Sequence, residues 1–421
     1  FHIRDFMPQT SNGVSEDTAV VQKPALGLVE FVALMATMTS LVALSIDAML
    51  PALIQIGESL NVEEAHHTHL IVTVFFLGMA FGQMFFGPFS DSRGRRLTIL
   101  VGLCIFALGT FVCMLATNLE TMLVGRVIQA FGVSGPRIAS MAIIRDLYVG
   151  DAMAKVMSFI MMVFILVPML APIIGQTVME LTSWFHIFTL FLVVATMAGI
   201  WFFSRQGETL PRSRRRKFSR AHFVKSSKFI LTHPEVMGYT FAMGCIFGAF
   251  LAYLSASQTI FTVFYDVGEW FPYIFATLAF SIGLASYFNG KMVMRFGMRK
   301  LCRFALKGVN AFAVVYLALL FAYDGLPPLI PTVAVMFVGF FFVGILFGNL
   351  NAMAMQPLGG MAGLGAAIIG CFSSLFSVPV ALVVDSFLDG NLMPIGWGFL
   401  IFFAMAYASV RFAERVRESA V

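Results

Sequence analysis

Charged residues are scarce. Asp, Glu, Lys and Arg together make up 12% of the 421 residues, about half the share of a soluble globular chain. So little charge cannot cover a water-facing surface, which excludes a soluble enzyme or binding domain. Paired cysteines are missing as well. Cys104, Cys113, Cys245, Cys302 and Cys371 all fall inside or at the edge of apolar runs, and none forms a CxxC or Cys/His cluster. Neither a disulfide framework nor a metal site is expected from them. The signatures HExxH, GxSxG and Walker A are absent, so no catalytic residues are assigned. No polar stretch is long enough to bind a nucleotide, and ATP-driven work would need another subunit. The first residues, up to Val21, lack the positive-then-apolar order of a signal peptide. Met7 is a candidate natural start, which would leave Phe1 to Phe6 outside the native chain.

Apolar sequence is abundant. The chain is 59% hydrophobic with 47 phenylalanines, and its mean hydropathy is +0.89. Continuous apolar runs of about 20 residues match the thickness of a bilayer at 1.5 Å rise per residue. Their continuity, with no alternation, excludes a β-barrel. Read against Gly, Pro and charge breaks, the runs give twelve spans near 28–52, 67–90, 97–117, 120–144, 155–179, 184–204, 236–261, 270–290, 301–322, 328–352, 361–385 and 393–412. The expectation is an all-α integral membrane protein.

Lysine and arginine set its orientation, because cytoplasmic loops hold the excess. With a cytoplasmic N-terminus, one side collects Arg93, Arg95, Arg96, Arg145, Lys155, the cluster Arg205 to Lys228, the run Lys291 to Lys307, and Arg411, Arg415 and Arg417. The opposite loops hold no lysine or arginine and carry Glu58, Glu63, Glu64, Glu120, Asp266, Glu269, Asp324 and Asp389. Both termini are therefore expected in the cytoplasm. The order becomes a tail 1–27, six spans over 28–204, a basic linker 205–235, six spans over 236–412 and a tail 413–421. The linker motif ETLPRSRRRKFSR reads as a topology signal near anionic lipid. It has no aromatic platform, and nucleic acid is not an expected partner.

The halves repeat weakly. GPFSDSRGRR follows the second span and GKMVMRFGMRK follows the eighth, aligning Gly87 and Gly94 with Gly290 and Gly297. The second copy has Met294 where the first has Asp91. Pro168 and Pro172 interrupt span five, and Pro379 interrupts span eleven. Paired repeats around a midplane site are a transporter architecture.

These residues resemble a known family. Gly87, Asp91, Arg93, Gly94, Arg95 and Arg96 resemble motif A of the major facilitator superfamily, and RVIQAFG from Arg126 resembles its motif B, with Ala130 in place of the usual glycine. SIDAMLPAL and GPRIASMAIIRDLYVGDAMAKVMS are similar to the Bcr/CflA drug:proton antiporters. The resemblance implies twelve helices in two pseudo-symmetric six-helix bundles. It further implies efflux of small amphipathic or drug-like compounds by alternating access, across a bacterial inner membrane. The partners would be that substrate, the proton and the bilayer, with no cofactor, the proton gradient as drive, and a functional monomer. The antiporter motif of span five keeps Pro172 and Gly175 but has Val167, Ala171 and Gln176 where glycines stand. Val167 and Gln176 weigh against a tight contact there. A dedicated metabolite exporter and an uncoupled facilitator are alternatives on the same fold; a receptor would bind without flux.

Several residues carry the expected work. In the family, the motif A aspartate pairs across the two halves; the plainer reading is that Asp91 offsets Arg95 locally. Proton coupling needs a titratable group inside the membrane. Asp47, about 28 Å along span one, is the first candidate, and a helix-end carboxylate near outer water is its plainer reading. Arg126 reaches a similar depth and is expected to face Asp47. Glu30 and Arg137 match in depth on the inner side, with Glu30 about 100° around its helix from Asp47. Arg126, Gln129, Arg137 and Ser140 form a polar stripe on span four. By the family's fold that stripe lines the cavity, together with Tyr239, Met243, Phe250, Tyr253 and Ser257 of span seven and Asn349 of span ten. Such a Met- and Phe-rich face adapts to varied ligands, and any buried membrane helix also looks like this.

Overall fold

A computed structural model describes residues 26–148, 150–215 and 220–418. The expected N-terminal tail lies almost wholly outside those residues. Helices α1 (Leu28–Asp47), α2 (Leu53–Ser59), α3 (Leu70–Arg93), α4 (Arg95–Met114), α5 (Leu119–Leu147), α6 (Gly150–Leu181) and α7 (Phe185–Arg205) form the first half. A linker helix, α8 (Arg220–Thr232), precedes α9 (Pro234–Gln258), α10 (Phe271–Phe296), α11 (Met298–Ala322), α12 (Leu329–Met355), α13 (Ala362–Asp385) and α14 (Met393–Glu418). Twelve candidate membrane spans result, and no strand occurs among the described residues.

Three elements depart from the sequence reading. Span one does not run unbroken to residue 52: α1 ends at Asp47, and a 3-10 turn at Leu50–Ala52 leads into α2. Pro51 has no N–H to continue the ladder. The basic linker contains a helix, α8, which packs on α9 and α13. The expected C-terminal tail from residue 413 continues as helix to Glu418. Prolines 88, 136, 168, 172 and 379 sit inside helices α3, α5, α6 and α13, as membrane helices allow when neighbours re-satisfy the freed carbonyl.

The duplication is visible in packing. In the first half α5 packs on α3 and α4, while α1 packs on α6 and α7. In the second, α12 packs on α10 and α11, while α9 packs on α13 and α14. The halves meet where α3 lies on α13 and α6 on α10, again a symmetric exchange. The aligned Gly94 and Gly297 both turn the chain between consecutive spans at φ +101° and +80°, values that glycine adopts without the clash a side chain brings. The end holding Arg93, Arg145 and Arg205 is called here the basic end, and the other the acidic end.

Candidate functional site

At the basic end, motif A builds a network centred on Arg95, which is 6% exposed. Its Nη1 donates to Asp91 at 2.8 Å and to Ser90 at 2.9 Å, and its Nε donates to Asp146 at 3.0 Å. Thr209 donates to the same Asp146 at 2.9 Å. The Glu208 carboxylate accepts the backbone N–H groups of Arg95 and Arg96 at 2.9 and 3.2 Å. It caps the free N–H groups of α4 and places negative charge at a helix N-terminus. Arg96 reaches the Phe203 carbonyl at 2.9 Å. Asp91 thus offsets Arg95 within the first half, and the expected bond across the halves is not made in this state. Since Asp91 is half exposed and Asp146 largely enclosed, Asp91→Ala is expected to cost less than about 1 kcal/mol. Asp146→Ala, which strands a buried guanidinium, should cost about 2–3 kcal/mol; thermal unfolding in detergent measures both.

At the acidic end, four hydrogen bonds join the halves. His69, at the entry to α3, sets Nδ1 2.5 Å from Oδ1 of Asp385, the last residue of α13. Its Nε2 lies 2.8 Å from the Thr259 hydroxyl. Against an ionised carboxylate Nδ1 must donate, and Nε2 then accepts from Thr259 or, in a protonated ring, donates to it. Both His69 and Asp385 are buried. Beside them Gln258 accepts from the Ile54 N–H at 3.0 Å and donates to the Pro51 carbonyl. The sequence reading assigned no role to His69, Asp385 or Gln258. Their signal was present: each is a polar residue where an apolar span begins or ends.

Asp47 lies under this seal, 6% exposed. Its carboxylate has no hydrogen-bond or ion-pair partner among the described residues. The expected pair with Arg126 does not form. Arg126 is fully buried and donates to the carbonyls of Ile71 at 3.1 Å and Ser45 at 3.1 Å and to Gln129 at 2.5 Å. Its guanidinium also covers the Phe75 ring, 4.3 Å from the centroid. Carbonyl dipoles and a ring face thus satisfy the cation in place of a carboxylate. Gln129, expected to face the cavity, turns instead to α4, donating to Thr110 at 2.8 Å. The second expected pair is also absent: Glu30 binds Arg205 at 2.8 and 2.9 Å and Trp201 at 3.3 Å. Matching depth placed these groups level in the membrane but said nothing of helix rotation.

Span five is tight where the sequence reading weighed against it. A Cβ built on Gly175 of α6 would stand 1.9 Å from the carbonyl oxygen of Ala48. The α6 backbone therefore lies directly on the end of α1, next to Asp47. Ala171 is buried, and Gln176 donates to Glu180 on an exposed face, away from this contact.

Midway, exposed and half-buried residues on inward-facing sides imply a space between the halves. Along α5, Val124, Ile128, Phe131 and Ile138 share the outward side at about 100° per residue, and each is exposed or half-buried. Arg137 lies on the opposite side with Arg126 and Val133, which are buried. Its side chain is exposed although it lies away from the outward side of α5, as a gap between helices allows. Ser140, on the same side, is buried with its Oγ unbonded.

The second half presents a different face from the one expected. Tyr239 and Tyr253 are buried inside their own bundle; Tyr253 packs on Phe340 at 4.7 Å, and Ser257 is fully buried. Asn349 donates to Asn289 of α10 at 2.7 Å and stays within the half. The face of α9 toward the first half is turned by roughly 80–100° from the expected one. It carries Phe247, 5.0 Å from Phe76 of α3, and Gln258. Met243 and Phe250 are half-buried beside it, and α12 adds half-buried Phe347 and exposed Asn351.

The chain matches the sequence profile described as Major Facilitator Superfamily over residues 34–381. It is 31% identical over 347 residues to a Haemophilus influenzae protein named bicyclomycin resistance protein homolog, covering 81% of this chain and 85% of that one. It is 25% identical to the multidrug resistance protein MdtL of Shewanella sp. (strain ANA-3), covering 88% and 93%. A crystal structure of a D-xylose–proton symporter superposes with a TM-score of 0.73 at 15% identity, covering 92% and 97%, a likeness of fold alone. The twelve helices in paired halves agree with that fold. The chain belongs to the major facilitator superfamily and is a membrane transporter of small molecules, not an enzyme.

Proposed function

We propose that this transporter expels small amphipathic compounds in exchange for protons, with Asp47 as the proton carrier. The observation that carries the reading is the placement of Asp47. It is a carboxylate inside a membrane span, without a partner among the described residues, directly beneath the contacts that hold the acidic end closed. An intramembrane ionisable residue is a functional site by default, and one whose access changes when a seal opens can load and unload a proton. Relatives named for bicyclomycin and multidrug resistance support the direction of transport. Arginine and lysine at the basic end support a cytoplasmic placement of that end in a bacterial inner membrane. The described state is then the one closed to the outside, acting as a monomer with no cofactor beyond the proton gradient.

The test is dye and proton flux in proteoliposomes under an imposed pH gradient. Wild type is expected to release luminal protons as substrate moves, and Asp47→Asn to lose gradient-driven flux by at least about tenfold while still binding substrate, the coupling lost with the carrier. Equal wild-type flux with and without the gradient would overturn the coupling and leave an uncoupled facilitator. Gradient-driven flux that survives Asp47→Asn would move the carrier elsewhere.

A further inference from the structure

The exposed Arg137, on the inward side of α5, has no counter-charge among the described residues. Arg137 makes no hydrogen bond or ion pair with any described residue. Several carboxylates of the described residues are engaged elsewhere. Glu30 is held by Arg205, Asp146 by Arg95 and Thr209, and Asp385 by His69. Asp47 is beneath the acidic-end seal, and Glu235 lies at the basic end of α9 beside Tyr239 and Glu414. The neighbouring cation shows the contrast: Arg126, buried on the same side of α5, is fully satisfied by carbonyls, Gln129 and Phe75. Arg137 has none of these supports and keeps its donors free for something that enters.

At a similar depth the second half carries an aromatic wall. Arg137 is ten residues before the end of α5, about 15 Å from the basic end, and Phe347 is eight residues before the end of α12, about 12 Å. The two therefore stand level. Phe247, Phe250 and Phe347 form one half-exposed aromatic wall, with ring centroids 5.8 Å apart for Phe247–Phe347 and 6.1 Å for Phe250–Phe347. Ser140, on the same side of α5 as Arg137, carries a buried hydroxyl with no partner among the described residues.

We infer that this space binds amphipathic organic anions: an acidic group on the Arg137 guanidinium, and an aromatic body against Phe247, Phe250 and Phe347. The inference rests on the efflux reading above and names its substrate class. Planar guanidinium donors hold carboxylate, sulfonate or phosphate oxygens in pairs, and the low-dielectric surroundings make that contact selective. A cationic compound would meet an uncompensated like charge there, and a neutral one would leave the donors unmet.

The experiment uses three probes with one ring system and permanent or fixed charge: naphthalene-2-sulfonate, naphthalene-2-sulfonamide and 2-naphthyltrimethylammonium. Binding to the full-length protein in detergent is read by probe fluorescence, and flux in phosphatidylcholine vesicles, which lack anionic lipid. The sulfonate is expected to bind at least about tenfold tighter than the other two, the factor a charge-assisted contact supplies. Arg137→Gln should abolish that preference while leaving sulfonamide binding within about twofold, and Arg137→Lys should keep part of it. Size-exclusion profiles matching wild type show that the variants fold. Equal binding of the three probes, no binding of any, or a preference that survives Arg137→Gln overturns the inference. Flux of the ammonium or sulfonamide probe that exceeds sulfonate flux also overturns it while leaving efflux standing. Selective sulfonate binding with no flux of any probe supports the anion site and sinks the efflux reading on which it was built.

Discussion

Replacing His69 with alanine is expected to open the acidic end of the transporter. The imidazole bridges Asp385 and Thr259 of the opposite half at 2.5 and 2.8 Å, and the pair is buried. Truncating one partner so that a buried polar group is left unsatisfied typically costs about 1–3 kcal/mol, more where that group is charged. In the open state both groups meet water, so the loss falls on the closed state alone. Even about 2 kcal/mol shifts the ratio of closed to open by about thirtyfold. Leu44, half-buried and about one turn from Asp47, is the place to read this as a single cysteine. Labelling of Leu44→Cys by an impermeant maleimide from the acidic side should rise at least about tenfold in His69→Ala and in Asp385→Ala. The double variant should add little to either alone, because the two act as one contact. An unchanged labelling rate would show that the pair does not hold the halves together.

The second large effect is expected at Gly175. Its missing Cβ would lie 1.9 Å from the Ala48 oxygen and 2.8 Å from the Ala48 carbonyl carbon. Both are backbone atoms, so no rotamer change relieves the clash, and α1 must move away from α6. Overpacking of this kind costs about 1–3 kcal/mol in a well-packed interior, occasionally more. Gly175→Ala is therefore expected to lower the unfolding temperature and cut transport at least about tenfold, since the displaced segment carries Asp47. Gly175→Leu should not yield a folded protein. Gly290, within α10, has nothing within 4 Å of a built Cβ. Gly290→Ala should stabilise by about 0.5–1 kcal/mol, the helix-propensity gain of a side chain with room to stand. If both alanines behave alike, close backbone contact is not what Gly175 provides.

Gly175 also shows how local composition misleads. Val167 and Gln176 in place of glycines argue for a loose span five when counted along the sequence. The contact depends on which residue meets Ala48, and that residue is still glycine. Helix rotation accounts for the other differences. Arg126 and Asp47 lie at similar depth, yet the guanidinium reaches the Ser45 carbonyl, two residues short of the carboxylate. Tyr239 and Tyr253 share a side of span seven by spacing, and the family's fold places them and Asn349 at the cavity. They turn inward to their own bundle, and Phe247, Phe347 and Asn351 stand nearer the space between the halves. Spacing defines which residues share a side of a helix; only the neighbours decide which way that side points.

The sequence by itself determined what a bilayer enforces. Twelve apolar runs had to become helices, because backbone groups in hydrocarbon must bond within their own segment. Lysines and arginines had to gather on one side, and the repeated glycine at Gly94 and Gly297 had to mark equivalent turns. The tertiary structure decided everything that needs two helices at once. It joined His69 to Asp385, 316 positions apart in the chain, and gave Glu30 to Arg205. It closed Arg126 in among carbonyls and left Arg137, eleven residues further along the same helix, exposed and without a partner among the described residues. The two arginines are three helical turns apart and the same by type, so no property of the single helix distinguishes them. Packing does: the end of α1 and the start of α3 close over one, and the other is left exposed.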